Sequence, residues 1–490
     1  MSKTLSVKFI LSIALLLTLG LSSSHPGQAL KNPGSTPEIP ADFPSGENTL
    51  YLPLIEKSYP GPPSIYGVET YDFAQWKLDK ITQANISWVR NAAFSWAAIE
   101  PAPPNPGHTY NWEVVNNAGL VEAANRGLTT IAVVKETPVW ARMSKYSNYV
   151  CGPVNSASLD DYAAFVHNLV LRYSAPPYNI KYYEFGNEPD VDPALFGSWY
   201  NPPFGCWGDA SDTYYGGRYY GEMLKYVYPA VKAADIQSNV IIGGLLLNCD
   251  PTHPPPTPPG ETCLPAKFFE GILRNQGAEN FDIVAFHGYP SYSQGKILDE
   301  THPNFSYRGG QLVGKVDFLR TSVMAQFGVN KPILMTEVAF KCQTSNECGE
   351  PPSENFLQLQ ADYVVHAYVR SWGLNLKGAI WYTLEDSGWQ QTELIDGTTA
   401  RPAYNALVFM STELKNATIG AQLTQFAGLR GYEFTAVNKR IWVLWAPDGV
   451  TGKSIPLPAD VTNIYDKYGL SIIPTDPITI VHPTYFEFPR

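Results

Sequence analysis

Eight short apolar runs, separated by longer amphipathic stretches, constrain the fold of this chain more than any other feature. Each run holds four to eight residues, which suits a β-strand, and the stretches between them show helical spacing of apolar residues. Strands that alternate with helices are typical of repeated βα units with a parallel sheet. The runs are 66–69 (YGVE), 86–91 (ISWVRN), 129–135 (TTIAVVK), 181–186 (KYYEFG), 240–247 (VIIGGLLL), 281–287 (FDIVAFH), 332–337 (PILMTE) and 378–384 (GAIWYTL).

The stretches between the runs predict amphipathic helices. The clearest is 159–173, whose apolar face carries Leu159, Tyr162, Phe165, Val166, Leu169 and Val170. The other predicted helices are 214–235, 268–277, 315–328, 354–373 and 401–414. Eight strands with their helices over about 350 residues match a (β/α)8 TIM barrel, and we predict this α/β architecture for residues 64–416. A doubly wound open sheet is the alternative, but no Gly-rich phosphate loop follows the first run.

The segments outside the predicted barrel differ in character. Residues 1–29 combine Lys3 and Lys8 with an apolar run and the small-residue sequence GQA, which predicts a signal peptide and a secreted, extracellular protein. An uncleaved membrane anchor is the alternative, although the apolar run is short for a span and no later stretch is long enough. Residues 30–63 are rich in Pro, Gly and Ser, and they predict a linker. Residues 417–490 contain short strands separated by turn residues, which predict a small antiparallel, β-sandwich-like accessory domain.

Charge and cysteine content exclude two kinds of site. With 45 acidic against 34 basic residues, the chain has no basic surplus for binding nucleic acid. The six cysteines form no CxxC pair and no HExxH motif is present, so we predict neither a metal centre nor a cofactor. In a secreted chain the cysteines predict three disulfides. Many pairings are possible; sequence proximity favours Cys249–Cys263 and Cys342–Cys348, which leaves Cys151 with Cys206.

Polar residues that follow the strands define the candidate site, because the active site of a (β/α)8 barrel lies at the C-terminal ends of its strands. Glu188 follows the fourth run and Glu337 ends the seventh, so their carboxylates approach one substrate from opposite sides of the ring. Glycoside hydrolysis needs such a pair, one protonated for the leaving oxygen and one ionised to attack or to activate water. A single Glu at a strand end is weaker evidence, since such residues also cap helices.

Motifs around these two residues resemble those of clan A glycoside hydrolases. GNEPD at 186–190 and MTEV at 335–338 are similar to the acid/base and nucleophile motifs of that clan. Three segments are similar to its strands two, six and eight: VRNAAFSW (89–96), FHGYP (286–290) and IWYTL (380–384). TPVWAR (137–142) is similar to its loop after strand three. The resemblance covers 64–490, with family 39 the nearest match and family 5 an alternative. It implies a retaining O-glycoside hydrolase on a (β/α)8 barrel, with a carbohydrate as its partner.

The chemistry and the resemblance together assign roles to the two carboxylates. Glu188 is expected to be the acid/base, with its pKa raised by a second negative charge in the site. Glu337 is expected to be the nucleophile, kept ionised by Arg90 and by a hydrogen bond from Tyr289. A retaining mechanism predicts carboxyl groups about 5–5.5 Å apart, whereas inversion needs about 6.5–9.5 Å.

Further residues are expected to contact the sugar. Asn187 is placed to bind the 2-hydroxyl group, Trp381 to stack under the ring and Trp140 to line a neighbouring subsite. His287 is either a ligand contact or a core histidine satisfied by the backbone. Two alternatives to hydrolysis stay open: a catalytically silent carbohydrate-binding barrel, and a transglycosylase that uses the same pair of carboxylates.

Overall fold

The computed structural model of the protein describes residues 64–193, 204–256, 262–385 and 389–490. The predicted signal peptide at 1–29 and the predicted linker at 30–63 lie outside the described residues. Within the described part of the chain, no helix combines the length and the hydrophobicity needed to cross a bilayer.

Eight parallel strands form a barrel. They are β1 (Tyr66–Glu69), β2 (Trp88–Ser95), β3 (Thr129–Lys135), β4 (Tyr182–Asn187), β5 (Asn239–Gly244), β6 (Val284–Gly288), β7 (Ile333–Val338) and β8 (Ala379–Trp381). Successive strands are neighbours in the sheet, and β8 pairs with β1. The parallel bridges Ile241–Ile283 and Leu245–Phe286 join β5 to β6 and close the ring. The predicted TIM barrel is therefore confirmed.

One principal helix follows each strand. The helices are α1 (Gln75–Gln83), α2 (Asn117–Asn125), α3 (Leu159–Tyr173), α4 (Gly217–Ala234), α5 (Phe268–Gln276), α6 (Gln311–Asp317), α7 (Glu354–Gly373) and α8 (Pro402–Glu413). α3 has the predicted bounds, and its predicted apolar face is buried. α7 begins after Ser353, whose hydroxyl accepts a hydrogen bond from the Phe356 amide and so caps the helix. α6 continues as a π-helical segment, Phe318–Met324.

One element at the C-terminal end of the barrel strands was not predicted. After β6 the chain forms a short antiparallel hairpin from Ser291–Ser293 and Lys296–Leu298. Both residues of its turn, Gln294 and Gly295, have positive φ, as the tight turns of hairpins require. The sequence lacks the Asn-Gly or Asp-Gly pair that would have signalled this turn, and each strand is too short to show a period.

The barrel interior divides into an apolar floor and a charged upper end. The floor is built from Trp88, Ile131, Ile241, Ile283, Ala285, Leu334 and Ile380. Since side chains alternate across a strand, the next inward position after Trp88 on β2 is Arg90, and the next after Tyr182 on β4 is Glu184. Both of these residues are buried. The switch from apolar to charged inward residues places the polar chemistry at the C-terminal ends of the strands.

The chain after the barrel forms the predicted antiparallel β domain. Its strands are β9 (Thr418–Gln422), β10 (Arg430–Thr435), β11 (Lys439–Trp445), β12 (Lys453–Ile455), β13 (Asn463–Tyr465), β14 (Ile478–Ile480) and β15 (Thr484–Pro489). β9, β10, β11, β15 and β13 form one sheet, and β12 pairs with β14. The sequence did not predict β9, whose side chains are mostly exposed and show no apolar alternation.

Three disulfides form in the expected pairing. They are Cys151–Cys206, Cys249–Cys263 and Cys342–Cys348, with Cα–Cα distances of 5.6, 5.1 and 5.9 Å. All six cysteines lie in segments that follow the C-terminal ends of β3, β4, β5 and β7. The bonds therefore cross-link the long loops at the end of the barrel that carries the charged residues.

Candidate active site

A backbone irregularity in β7 directs Glu337 into the barrel. Strict alternation would point Glu337 outward, because Leu334 points inward and Met335 packs in the outer core. Between Met335 and Glu337 the strand advances two residues while β6 advances one, from Phe286 to His287. The same extra residue shifts the register with β8. Such a bulge re-aims a side chain, so Glu337 faces the interior with the residue before it.

Arg90 is the electrostatic centre of the site. Its guanidinium donates to Glu69 at 2.5 Å, to Glu184 at 2.8 Å and to Glu337 at 2.6 Å. It also donates to the side-chain oxygen of Asn187 at 2.6 Å. One buried cation therefore compensates three buried carboxylates, and the surplus of negative charge makes the guanidinium pKa rise above its usual value despite burial.

Glu337 is held from three directions. Arg90 binds one carboxylate oxygen, while the other oxygen accepts a hydrogen bond from the Tyr289 hydroxyl and lies 3.4 Å from Nδ1 of His287. Its residue surface is 5% exposed. These contacts fix the orientation of the carboxylate and favour its ionised form.

Glu188 lies opposite, just beyond the end of β4. Its φ of 46° places it in the left-handed region, which non-glycine residues rarely adopt and which is common at functional sites. His287 Nδ1 lies 2.9 Å from one Glu188 oxygen. An oxygen of Glu188, a ring nitrogen of His287 and an oxygen of Glu337 all lie within 4.8 Å of one another. The structure thus brings the two predicted carboxylates face to face, with His287 between them.

Burial controls the protonation of these groups. It raises the pKa of Glu188 to about 7, against the smaller lowering effect of Lys315, Arg90 and Lys341. It also raises the pKa of Glu337 to about 7, against the lowering effect of His287 and Arg90. The two carboxyl groups titrate as a pair. Direct contacts from a cation and a hydroxyl favour the charge on Glu337, so the shared proton resides on Glu188.

His287 is neutral at the pH where the carboxyl pair titrates, because burial lowers its pKa to about 4. The imidazole is accommodated by Gly244 on β5, where an added Cβ would lie 2.0 Å from Nε2. No hydrogen-bond partner of Nε2 exists among the described residues. Nδ1 of His287 contacts both carboxylates, so the imidazole is not satisfied by the backbone. A contact between His287 and a ligand stays a prediction.

Aromatic side chains line one side of the site. The Tyr289 ring packs edge-on against Tyr382 at 6.2 Å and Trp389 at 5.0 Å between centroids, and all three are partly exposed. Trp381, which was expected to stack under a sugar ring, is 0% exposed and donates its indole N–H to the Thr392 carbonyl. It presents no surface to a ligand, whereas Tyr382 and Trp389 do.

Trp140, the predicted subsite residue, lies in the 3-10 helical turn Val139–Ala141 after β3. Its indole N–H is 3.4 Å from the Glu100 carbonyl, and its ring packs edge-on against Trp96 at 5.3 Å. The ring is half-buried, so part of its surface is available for stacking.

Sequence reasoning missed several residues of the charged network. Glu69 and Glu184 share Arg90 with Glu337, and Glu184 also accepts from the Gly244 amide at 2.8 Å. Glu69 ends β1, and its position at a strand end is the signal that could have found it. Glu184 sits inside a strand, where an ionised residue among apolar neighbours is itself a signal of a buried partner. Lys315 gave no signal, since a single Lys in an amphipathic helix normally faces solvent.

Glu188, His287 and Glu337 also have the donor types and the spacing of a metal-binding cluster. Their donor atoms, however, are engaged by one another, by Arg90 and by Tyr289. We therefore interpret the cluster as two carboxyl groups that both contact the His287 imidazole, rather than as a metal centre.

Comparison with known proteins identifies the fold. No family model and no curated sequence matches the chain. A family 39 glycoside hydrolase from Bacteroides cellulosilyticus WH2 superimposes with a TM-score of 0.62 and 16% identity, over 88% of this chain and 81% of that one. A GH39 β-xylosidase from Caulobacter crescentus superimposes with a TM-score of 0.53 and 14% identity, over 88% of this chain and 98% of that one. A family 30, subfamily 8 xylanase from Clostridium acetobutylicum superimposes with a TM-score of 0.52 and 14% identity, over 86% of this chain and 95% of that one. The resemblance to clan A glycoside hydrolases is confirmed at the level of the fold.

Proposed function

We propose that the protein is a secreted O-glycoside hydrolase that cleaves oligo- or polysaccharides with retention of anomeric configuration. The observation that carries the proposal is the pair Glu188 and Glu337, which face each other within 4.8 Å and have different surroundings. A cation and a phenol support charge on Glu337, and a neutral imidazole adjoins Glu188. An acid and a nucleophile are the two roles that glycoside cleavage requires.

In the first half-reaction, Glu188 gives its proton to the glycosidic oxygen as the bond between this oxygen and the anomeric carbon breaks. A Glu337 oxygen forms a new bond to the anomeric carbon from the opposite face. The products are a glycosyl ester of Glu337 and an alcohol that carries the proton of Glu188.

In the second half-reaction, the Glu188 carboxylate takes a proton from water while the water oxygen attacks the anomeric carbon. The ester bond breaks, Glu337 regains its negative charge, and Glu188 is protonated for the next cycle. Two inversions at one carbon give net retention.

The short separation supports double displacement over direct attack by water. Retaining enzymes place the carboxyl groups about 5–5.5 Å apart, and inverting enzymes leave about 6.5–9.5 Å for a water molecule. One oxygen of Glu188 and one of Glu337 lie within 4.8 Å of each other, which supports the shorter, retaining separation.

The proposed sugar contacts are Asn187 and the partly exposed aromatic side chains Tyr382 and Trp389. The Asn187 oxygen accepts a hydrogen bond from Arg90. We assign to its NH2 group the hydrogen bond to the 2-hydroxyl group next to the reacting carbon. Tyr382 and Trp389 supply partly exposed ring faces near Tyr289. Such faces suit the apolar side of a pyranose ring.

A panel of aryl glycosides tests the proposal. We expect wild-type protein to release the phenol from at least one glycoside and to form first the anomer of the same configuration, as followed by proton NMR. Glu337→Gln is expected to lower kcat by about 10³-fold or more, because no nucleophile remains. Inverted product, or full activity of Glu337→Gln, would contradict the proposal. Binding of oligosaccharides without turnover would instead favour a silent barrel.

A further inference from the structure

Two buried charged residues behind the catalytic carboxylates have no part in the reaction as written. Asp190 lies two residues beyond Glu188 and is 1% exposed. Lys315 lies on α6 and is 4% exposed. Isolated buried charges are costly, so each is retained only where its surroundings compensate it.

One peptide group joins the two charges. The Lys315 ammonium donates to the carbonyl of Leu246 at 2.6 Å, and Asp190 accepts the amide N–H of Leu247 at 2.9 Å. The carbonyl of Leu246 and the amide of Leu247 belong to the same peptide bond. The cation and the anion therefore bind the two ends of one peptide dipole, each in the orientation that stabilises it. The second Asp190 oxygen accepts the Leu246 amide at 2.9 Å.

Lys315 and Asp190 are each connected to one partner of the Glu188–His287 contact. Lys315 donates a second hydrogen bond, to the backbone carbonyl of His287, at 2.8 Å. Asp190 is connected to Glu188 through a single residue of the chain. The anchored segment itself is unusual, since Leu247 has a φ of 47°. A left-handed leucine persists only where its surroundings hold it.

Charged groups from several elements of the fold surround Asp190 and Lys315. Lys315 faces Asp190, Glu188 and Asp299 as anions and Lys341 as a cation, and burial lowers its pKa to about 8. Burial raises the pKa of Asp190 to about 7, and the nearby Glu188 raises it further. Arg90 and Lys341 act on Glu188 from β2 and from the loop after β7. His302 adjoins the same lysines.

We propose that Asp190 and Lys315 are positioning residues for the acid/base, forming a charge pair bridged by the Leu246–Leu247 peptide that fixes Glu188 against His287. The proposal rests on the assignment of Glu188 as acid/base. The pair acts through the backbone ends of β4, β5 and β6 rather than by touching the substrate.

Variants that remove the charge of Asp190 or of Lys315 are expected to shift the pH dependence of kcat/KM, which a purely structural role would not do. In the first half-reaction Glu188 must be protonated, so its pKa sets the basic limb of kcat/KM against pH. Lys315→Gln removes a positive charge, and the limb is expected to move to higher pH by roughly 0.5–1 unit. Asp190→Asn removes a negative charge, and the limb is expected to move to lower pH. The double variant is expected to return towards the wild-type limb.

The loss of position is measured by kcat. Both single variants are expected to lower kcat about 10- to 100-fold, with KM of an aryl glycoside changed less than about threefold, because a small misplacement of a reacting group is costly. Lys331→Gln is the control: Lys331 also donates to a backbone carbonyl, that of Phe281, but at the opposite end of the barrel. Its kcat and pH profile are expected to match the wild type.

Hydrogen–deuterium exchange tests the bridge without any reaction. Asp190→Asn and Lys315→Gln are both expected to speed exchange of the Leu246 and Leu247 amides, and Lys331→Gln is expected to leave them unchanged. Unchanged exchange in both single variants would overturn the bridge. Faster exchange with unmoved pH limbs and normal kcat would overturn the positioning role and leave the hydrolase assignment standing, whereas wild-type protein inactive on every glycoside would overturn the assignment itself.

Discussion

Glu188 is a buried acid without a direct cationic partner among the described residues, and its environment favours the protonated form. Arg90 instead binds Glu69, Glu184 and Glu337. The carboxyl groups of Glu188 and Glu337 therefore differ in the polar groups that surround them. In the proposed mechanism, this difference in surroundings sets which carboxyl group acts as acid and which as nucleophile.

The buried state of Glu188 makes a prediction for stability. Its pKa in the folded chain is about 7, against 4.5 in the unfolded chain, so the folded state binds this proton more tightly. The resulting contribution to stability is fully present below pH 4.5 and is lost as the pH rises through 7. Glu188→Gln removes this loss, and we expect the variant to be more stable than wild type at pH 8, on the order of 3 kcal/mol, with little difference at pH 4.

Urea unfolding at the two pH values measures this effect. Glu222→Gln is the control, since Glu222 is partly exposed on α4 and pairs with the partly exposed Lys225. Its change in stability is expected to stay within about 1 kcal/mol at both pH values. A Glu188→Gln variant that is no more stable than wild type at pH 8 would contradict the buried, protonated state.

The residues of the candidate site were predictable from the sequence where a motif or the end of a strand marked their position. Glu188 and Glu337 stand directly after apolar runs, and the structure brings them together. Trp381 also stands at a strand end, but the side of the strand on which it lies depends on the local register of β8. The register was not readable from a run of apolar residues, so Tyr382 and Trp389 were missed as the exposed aromatics.

At the scale of elements, close packing between β5 and β6 determines where His287 lies. Gly244 leaves room for the imidazole, and its amide binds Glu184. Any side chain at this position would displace His287 and, with it, the contact to Glu188.

Gly244→Ala is therefore expected to lower kcat/KM by about 100-fold or more, because the added Cβ would overlap His287 Nε2. The protein is expected to lose about 1–3 kcal/mol of stability. Gly107→Ala is the matched control, since its Cβ would meet no atom within 4 Å. Steady-state kinetics and thermal unfolding of both variants check the prediction, and equal kinetics for the two would refute the steric account.

Element type and order followed from period and length, whereas local irregularities did not. The eight barrel strands and the bounds of α3 and α7 were anticipated. The bulge in β7 breaks the period of two that strand prediction relies on, and it occurs where Glu337 must turn inward. The hairpin 291–298 and the exposed strand β9 were missed because neither buries an alternating apolar face.

At the scale of the whole molecule, the C-terminal β domain shares a core with the barrel helices. Phe434, Trp445 and Tyr485 belong to the same apolar cluster as the buried residues of α7 and α8. The Trp445 ring stacks on His366 of α7 at 4.9 Å between centroids. Charged contacts reinforce this contact surface, for example Arg430 with Glu300 at 2.7 Å. The domain is thus part of the barrel's packing, while its boundary at 417 stays a prediction.

Trp445→Ala tests this integration. Deleting a fully buried Trp is expected to lower the free energy of unfolding by about 3–5 kcal/mol, and barrel and β domain are expected to unfold together. Ile473→Ala, at a side chain 87% exposed in the same domain, is expected to change it by less than about 0.5 kcal/mol. If calorimetry of Trp445→Ala resolves a separate barrel transition at the wild-type temperature, the β domain does not contribute to the stability of the barrel.

The central claim is that Glu337 forms a covalent bond to the sugar while Glu188 serves as acid and base. Incubation with activated 2-deoxy-2-fluoro glycosides, followed by mass spectrometry of proteolytic peptides, tests it most directly, because the fluorine slows hydrolysis of the ester. For a sugar that the enzyme accepts, we predict one glycosyl adduct, on Glu337 within MTEV at 335–338. An adduct on another residue, or rapid turnover of the matching unfluorinated glycoside with inversion and no adduct, would contradict the account.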